Sequence, residues 1–145
     1  GQLAAADAAG QPGHEQQPER DHELTSEISY PVVYRGRHGR DARTGGFFTF
    51  RMKVRPGPLI LQATYWADER ARKFHILIDG QRIATQSLRS DKPVFFDVDY
   101  EIPEALTRGK DSVLVRFEPE PGNTAGPVFG CRIYTKNADV TAALI

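Results

Sequence analysis

From Phe47 to Tyr134 the apolar residues recur at alternate positions, the period that sends successive side chains to opposite faces of a pleated strand. Phe48, Phe50, Met52 and Val54 alternate with Thr49, Arg51 and Lys53. Leu59, Leu61, Ala63 and Tyr65 alternate with Ile60, Gln62, Thr64 and Trp66, and Phe74, Ile76 and Ile78 with His75, Leu77 and Asp79. Val94, Phe96, Val98 and Tyr100 form a further set, as do Val113, Val115 and Phe117, and Phe129, Cys131 and Ile133. Turn chemistry separates these runs. Asp79-Gly80 predicts an antiparallel hairpin of strands 73–79 and 81–88, because glycine accepts the positive φ of a tight turn. Pro56-Gly57-Pro58, Arg108-Gly109-Lys110 and Pro121-Gly122-Asn123 break the pattern elsewhere, and Pro103 to Thr107 reads as one helical turn. Short strands at this spacing predict an all-β fold, a β-sandwich of jelly-roll type.

The ends differ from the body. Residues 1–21 are small, polar or turn-forming and cannot bury enough apolar surface to offset the entropy of ordering, which predicts a disordered linker. The sandwich is expected over 22–136, followed by a frayed tail over 137–145. Gly1 in place of Met suggests a cleaved or excised piece of a larger protein.

By simple alternation the outward register carries Phe47, Trp66, Leu77, Phe95, Leu114 and Tyr134. A solvated sandwich rarely exposes so many large apolar groups, so a binding or docking surface is expected there, unless both faces of some strands are covered.

Composition narrows the functional classes. At 145 residues with 39 % apolar content the chain suits one domain that buries its own core. Nineteen basic residues balance nineteen acidic ones, which argues against a nucleic-acid partner. No run reaches the roughly twenty apolar residues of a membrane-spanning helix, so no membrane partner is expected. The single cysteine, Cys131, forms no internal disulfide, and its strand pattern points it inward as a small apolar residue.

Candidate catalytic groups have simpler readings. Asp97 and Asp99, Asp68 and Glu69, and Glu118 and Glu120 are carboxylate pairs of the kind glycoside cleavage needs, yet a sandwich carries many acids on its wet faces. His14, His22, His38 and His75 lack the short fixed spacing of metal ligands. No cofactor is expected, although a structural calcium held by backbone carbonyls would leave no side-chain signature. Arg35 to Ala42 reads as a donor-rich loop that could touch an acidic sugar, or be tethered by pairing of Asp41 with a neighbouring arginine, the favoured reading.

Several segments carry a family likeness: His22-Glu23-Leu24, Gly39-Arg40-Asp41-Ala42, Gly45-Gly46-Phe47-Phe48, Ala63-Thr64-Tyr65-Trp66, Phe74 to Gly80, Ile83-Ala84-Thr85-Gln86, Phe96 to Tyr100 and Gly122 to Gly126. From about Glu19 to Tyr134 the chain resembles the C-terminal β-sandwich module, a domain of unknown function, of bacterial proteins similar to β-L-arabinofuranosidases of glycoside hydrolase families 127 and 146. That resemblance implies a non-catalytic accessory module of a secreted or periplasmic glycoside hydrolase. Its partner would be an upstream catalytic (α/α) barrel of the same polypeptide, which it braces or docks on. Cys131 matches no catalytic motif of those enzymes. The alternative is a carbohydrate-binding module that grips arabinose- or galactose-containing plant polysaccharide. Trp66, Tyr65, Gln62, Phe95, Asp97, Tyr134 and Arg132 are the expected carbohydrate or docking surface. A small standalone glycosidase using Asp97 and Asp99 is a third reading.

Overall fold

The computed structural model describes residues 22–66, 72–88 and 93–136, so the linker and tail readings fall outside the described residues. Eight strands carry the fold: β1 (Thr25–Tyr34), β2 (Arg37–Lys53), β3 (Leu59–Trp66), β4 (Lys73–Ile78), β5 (Gln81–Ser87), β6 (Phe95–Ile102), β7 (Ser112–Pro119) and β8 (Ala125–Thr135). A short 3₁₀ turn, Glu104–Leu106, follows Pro103.

The 17-residue strand β2 organises the sandwich. One edge pairs with β1 along most of its length. The other edge is divided, since Arg40 and Ala42 pair with β8 while Phe48 to Lys53 pair with β7. One layer therefore runs β1-β2-β8-β3-β6 and the other β1-β2-β7-β4-β5, with the β1-β2 ribbon passing from layer to layer. Gly45 and Gly46 lie between the two paired halves of β2. A Cβ on Gly46 would collide with the Glu27 carbonyl oxygen and lie 2.8 Å from the Ile28 Cβ, so only glycine permits β1 to approach so closely.

The inner faces supply the core: Phe48, Phe50 and Met52 of β2, Leu61 and Tyr65 of β3, Phe74, Ile76 and Ile78 of β4, Val113, Val115 and Phe117 of β7, and Cys131 and Ile133 of β8. Contacts cross between the layers. The Cys131 thiol lies 3.8 Å from the Met52 sulfur, and the Tyr65 ring meets the Phe74 ring edge-on at 5.6 Å. At the far side the Tyr100 hydroxyl of β6 donates to Gln86 Oε1 of β5 at 2.8 Å and accepts from the Tyr65 hydroxyl at 2.7 Å, which ties together the two strands farthest from the ribbon.

The Asp79-Gly80 turn forms as expected, with φ of 47° and 83°. Its register closes between Ile78 and Gln81. Asp79 also fastens the hairpin to β7: its carboxylate accepts the Leu114 N–H at 2.7 Å and the Lys110 ammonium at 2.6 Å. Burial alone would push its pKa up, but these two bonds outweigh it and hold the carboxyl below the usual carboxylate range. Because the folded value is depressed, the resulting stability is present above about pH 4 and fades as pH falls through the folded value. Asp79→Ala is expected to lower stability at pH 7 by about 1 kcal/mol, a figure kept small by solvent screening. Denaturant titrations of both proteins at pH 7 and pH 2 test this, and the gap between them should shrink at the lower pH.

Two segments depart from expectation. β1 was not legible as a strand, and Arg37 to Ala42 lies in β2 where a loop was expected. Ile28, with φ of 45°, sits at a register shift between Glu27 and Ser29, and Pro31 occupies the middle of the strand. A bulge and a proline both belong on an edge strand, and both interrupt the alternation that reveals strands.

Candidate functional site

Opposite residues on β6, β3 and β8 form rows across the outer face of their layer. Ile60 stands between Glu101 and Tyr134, Gln62 between Asp99 and Arg132, and Thr64 between Asp97 and Gly130. The polar side chains are linked. Gln62 donates through Nε2 to Asp99 Oδ1 at 2.9 Å and accepts at Oε1 from Arg132 Nε at 2.8 Å. The Tyr134 hydroxyl donates to Asp99 Oδ2 at 2.8 Å, and the Arg132 guanidinium lies 4.8 Å from the Tyr134 ring centre. Thr64 donates to Asp97, and Lys136 pairs with Glu101. Each rotamer is thus fixed by a neighbour while Asp97 and Asp99 stay exposed and Gln62, Arg132 and Tyr134 stay half-buried.

The next row is aromatic. Trp66 stands opposite Phe95, and their rings meet edge-on at 4.8 Å. Phe95 in turn meets Phe129 at 5.1 Å, and Tyr34 from the β1-β2 hairpin meets Trp66 at 4.8 Å. The guanidinium groups of Arg35 and Arg37 lie over Trp66 and Phe95 at 5.0 and 4.7 Å.

Of the expected surface residues, Gln62, Asp97, Arg132 and Tyr134 share this face. Trp66 and Phe95 share it too, but Trp66 is only 4 % exposed and cannot serve as an open platform. The covering hairpin comes from β1 and β2, far away in sequence. Tyr65 is the clearest correction, because it points into the core, is fully buried, and has its hydroxyl engaged by Tyr100.

The remaining outward residues belong to the opposite layer. Phe47, Leu77 and Leu114 are half-buried, and the Arg116 guanidinium caps the Phe47 ring at 3.9 Å while pairing with Glu118. A hollow of about 260 Å³ opens beside them, lined by Thr44, Gly45, Gly46, Arg116, Glu118, Pro119 and Pro121. Among the described residues, the exposed large apolar side chains are instead Ile28, Tyr30, Val33, Tyr34 and Val94. Four of these lie on β1, the strand that sequence reasoning missed.

The other candidates fall into ordinary contacts. Asp41 pairs with Arg43 at 3.3 Å, as the tethering reading expected of a neighbouring arginine. Glu120 lies 3.7 Å from Lys73 and 3.3 Å from His75. His22 lies 3.0 Å from the Arg51 carbonyl, and Cys131 is buried in the core. Asp68, Glu69 and His14 lie outside the described residues. Among the described residues, no three His, Cys, Asp or Glu side chains are grouped to hold a metal ion.

A profile described as "Family of unknown function (DUF6805)" matches residues 9–134. The chain belongs to this family. No curated protein matches the DUF6805 chain in sequence. Its fold does match solved structures. A family 35 carbohydrate binding module from Clostridium thermocellum superimposes with a TM-score of 0.63 and 10 % identity, covering 78 % of this chain and 92 % of that one. An exo-β-1,3-galactanase from Phanerochaete chrysosporium, with β-1,3-galactotriose, gives 0.62 and 12 % identity over 77 % of this chain but only 27 % of that chain. The CBM36-1 domain of a multidomain xylanase from the hindgut metagenome of Trinervitermes trinervoides gives 0.54 and 9 % identity over 77 % and 90 %. At these identities the likeness establishes the fold, a β-sandwich of the carbohydrate-binding-module kind.

Proposed function

We propose that this chain is a carbohydrate-binding module that lays a polysaccharide along the outer face of β6, β3 and β8. The observation that carries the reading is the linked array of Gln62, Asp99, Arg132 and Tyr134 on the outer strand face, where Asp99 is exposed and the other three are half-buried. Sugar hydroxyls both donate and accept, so they suit a surface where carboxylate, amide and guanidinium groups stand at fixed spacing. Side chains already held by their neighbours lose little freedom when a ligand arrives. The fold likeness to carbohydrate-binding modules supports the same reading, and favours it over a purely bracing role. Asp97 and Asp99 then act as hydrogen-bonding groups rather than as an acid and nucleophile pair.

The wider setting is part of the proposal: a secreted or periplasmic glycoside hydrolase in which this module is the non-catalytic part, with arabinose- or galactose-containing polysaccharide as ligand. Support comes from the resemblance to the terminal module of β-L-arabinofuranosidase-like proteins and from the galactanase, where the matching portion is a minor share of the chain. A second reading, bracing of an upstream (α/α) barrel, is favoured by the exposed apolar residues Ile28, Tyr30, Val33 and Tyr34 of edge strand β1.

Calorimetric titration of the chain with arabinan, arabinogalactan, galactan and pectin fragments tests the binding reading. At least one should bind saturably, and Arg132→Ala should weaken it by about tenfold or more, because Gln62 and Tyr134 lose the group that orients them. The thermal midpoint should move little, since the residue is on the surface. Silence with every glycan would leave the bracing reading.

A further inference from the structure

We propose that the turn joining β1 to β2 reads a negative charge on the ligand, so that the glycan bound on this face carries an acidic sugar whose carboxylate sits at Arg35 and Arg37. The inference rests on the carbohydrate-binding reading and adds the chemical class of the ligand.

The first observation is a conflict between residue and conformation. Tyr34 pairs with Arg37, which leaves Arg35 and Gly36 as the two turn residues, with φ of 50° and 79°. Both are left-handed, a geometry that favours Asn-Gly or Asp-Gly. The other two-residue hairpin of this chain obeys that preference with Asp79-Gly80 at nearly the same angles. Arginine has no short polar side chain to bond back to the turn, so its presence there is unfavourable for folding. An unfavourable residue held in a special conformation points to a task.

The second observation is how the two guanidinium groups are held. That of Arg35 lies 5.0 Å from the Trp66 ring centre and 5.6 Å from that of Tyr34, and that of Arg37 lies 4.7 Å from that of Phe95. Among the described residues neither guanidinium has a carboxylate or other side-chain hydrogen-bond partner. Stacking on a ring uses the flat side of a guanidinium and leaves its edge donors for a planar oxyanion. On the adjoining row Asp97 already accepts from Thr64. Among the described residues, Arg35 and Arg37 thus bring two guanidinium groups to this end of the face. It continues the sugar face directly, since the Trp66–Phe95 row follows the Thr64–Asp97 row.

The test titrates the wild-type chain, Arg35→Asn and Arg37→Gln with oligogalacturonate, its methyl ester, a neutral galactan oligosaccharide and dextran sulfate. The free acid should bind at least tenfold more tightly than the ester, and added salt should erode that advantage. Arg35→Asn should abolish the preference for the acid and raise the thermal midpoint, because asparagine suits the turn. Binding and stability would then move in opposite directions, which a purely structural arginine would not produce. Equal binding of acid and ester, or an Arg35→Asn variant that keeps the preference, would overturn the inference while neutral-glycan binding upheld the sugar face. Equal binding of dextran sulfate would reduce the turn to a general polyanion patch and also overturn it. Failure of every glycan would remove the underlying reading as well.

Discussion

Phe48→Ala is expected to lower the free energy of unfolding by about 3–5 kcal/mol, the usual range for removing a buried aromatic ring. Phe48 is fully buried, stacks on Phe117 at 5.0 Å and meets Phe50 at 5.9 Å. It stands just past Gly46 on β2, where Phe48 pairs with both Ser26 of β1 and Phe117 of β7. Its ring therefore fills the core beside the corner where the ribbon changes layers, and no neighbouring element can slide in without breaking those ladders. Domains of this size are stable by only about 5–15 kcal/mol, so the change would remove a large share of the total. Urea titration should show a lower midpoint at an unchanged slope. A loss under about 1 kcal/mol would mean that the corner is not tightly packed.

The second large effect lies at alkaline pH. Burial is the main cause that pushes the Tyr65 hydroxyl far above its ordinary value, reinforced by Tyr100, and burial likewise raises Tyr100. Both folded values are raised, so the stability they contribute is fully present below the unfolded value near 10 and is lost as pH climbs above it. Each retained proton is worth about 1.4 kcal/mol per pH unit, so the pair is expected to steepen the loss of stability above pH 10 by up to about 2.7 kcal/mol per unit. Tyr65→Phe with Tyr100→Phe should flatten that slope. At pH 7, Tyr100→Phe alone should cost about 1–3 kcal/mol, because the Tyr65 hydroxyl loses its buried acceptor. Chemical denaturation from pH 8 to 11 distinguishes these outcomes, and parallel pH slopes for wild type and double variant would contradict them.

What the sequence made legible follows from which faces are buried. Strands with one face in the core and the other in water, such as Phe48 to Lys53 and Val113 to Phe117, advertise themselves by alternation. The polar positions Gln62, Asp97 and Arg132, which lie on two adjacent rows, were legible for the same reason, as the wet half of two such strands and their partner. β1 was not, because an edge strand with exposed Tyr30 and Val33, a left-handed Ile28 and Pro31 has no period to read. Missing β1 also hid the cover over Trp66, since Tyr34 and Arg35 reach it only through the long β1-β2 ribbon. Tyr65 illustrates a different limit: its alternation with Leu61 and Ala63 points it inward, and an aromatic ring is a surface candidate only where its register faces water. The turn at Arg35 left no signal for a sheet-forming hairpin, because arginine is the wrong residue for one.

The most direct measurement of the central claim is an amide chemical-shift titration of the chain with arabinogalactan, galactan and pectin-derived oligosaccharides in turn. Saturable shifts are expected for Gln62, Thr64, Asp97, Asp99, Arg132 and Tyr134, with Phe47, Arg116 and Glu118 on the opposite layer unmoved. Shifts centred on the hollow beside Arg116, or none with any glycan, would contradict it.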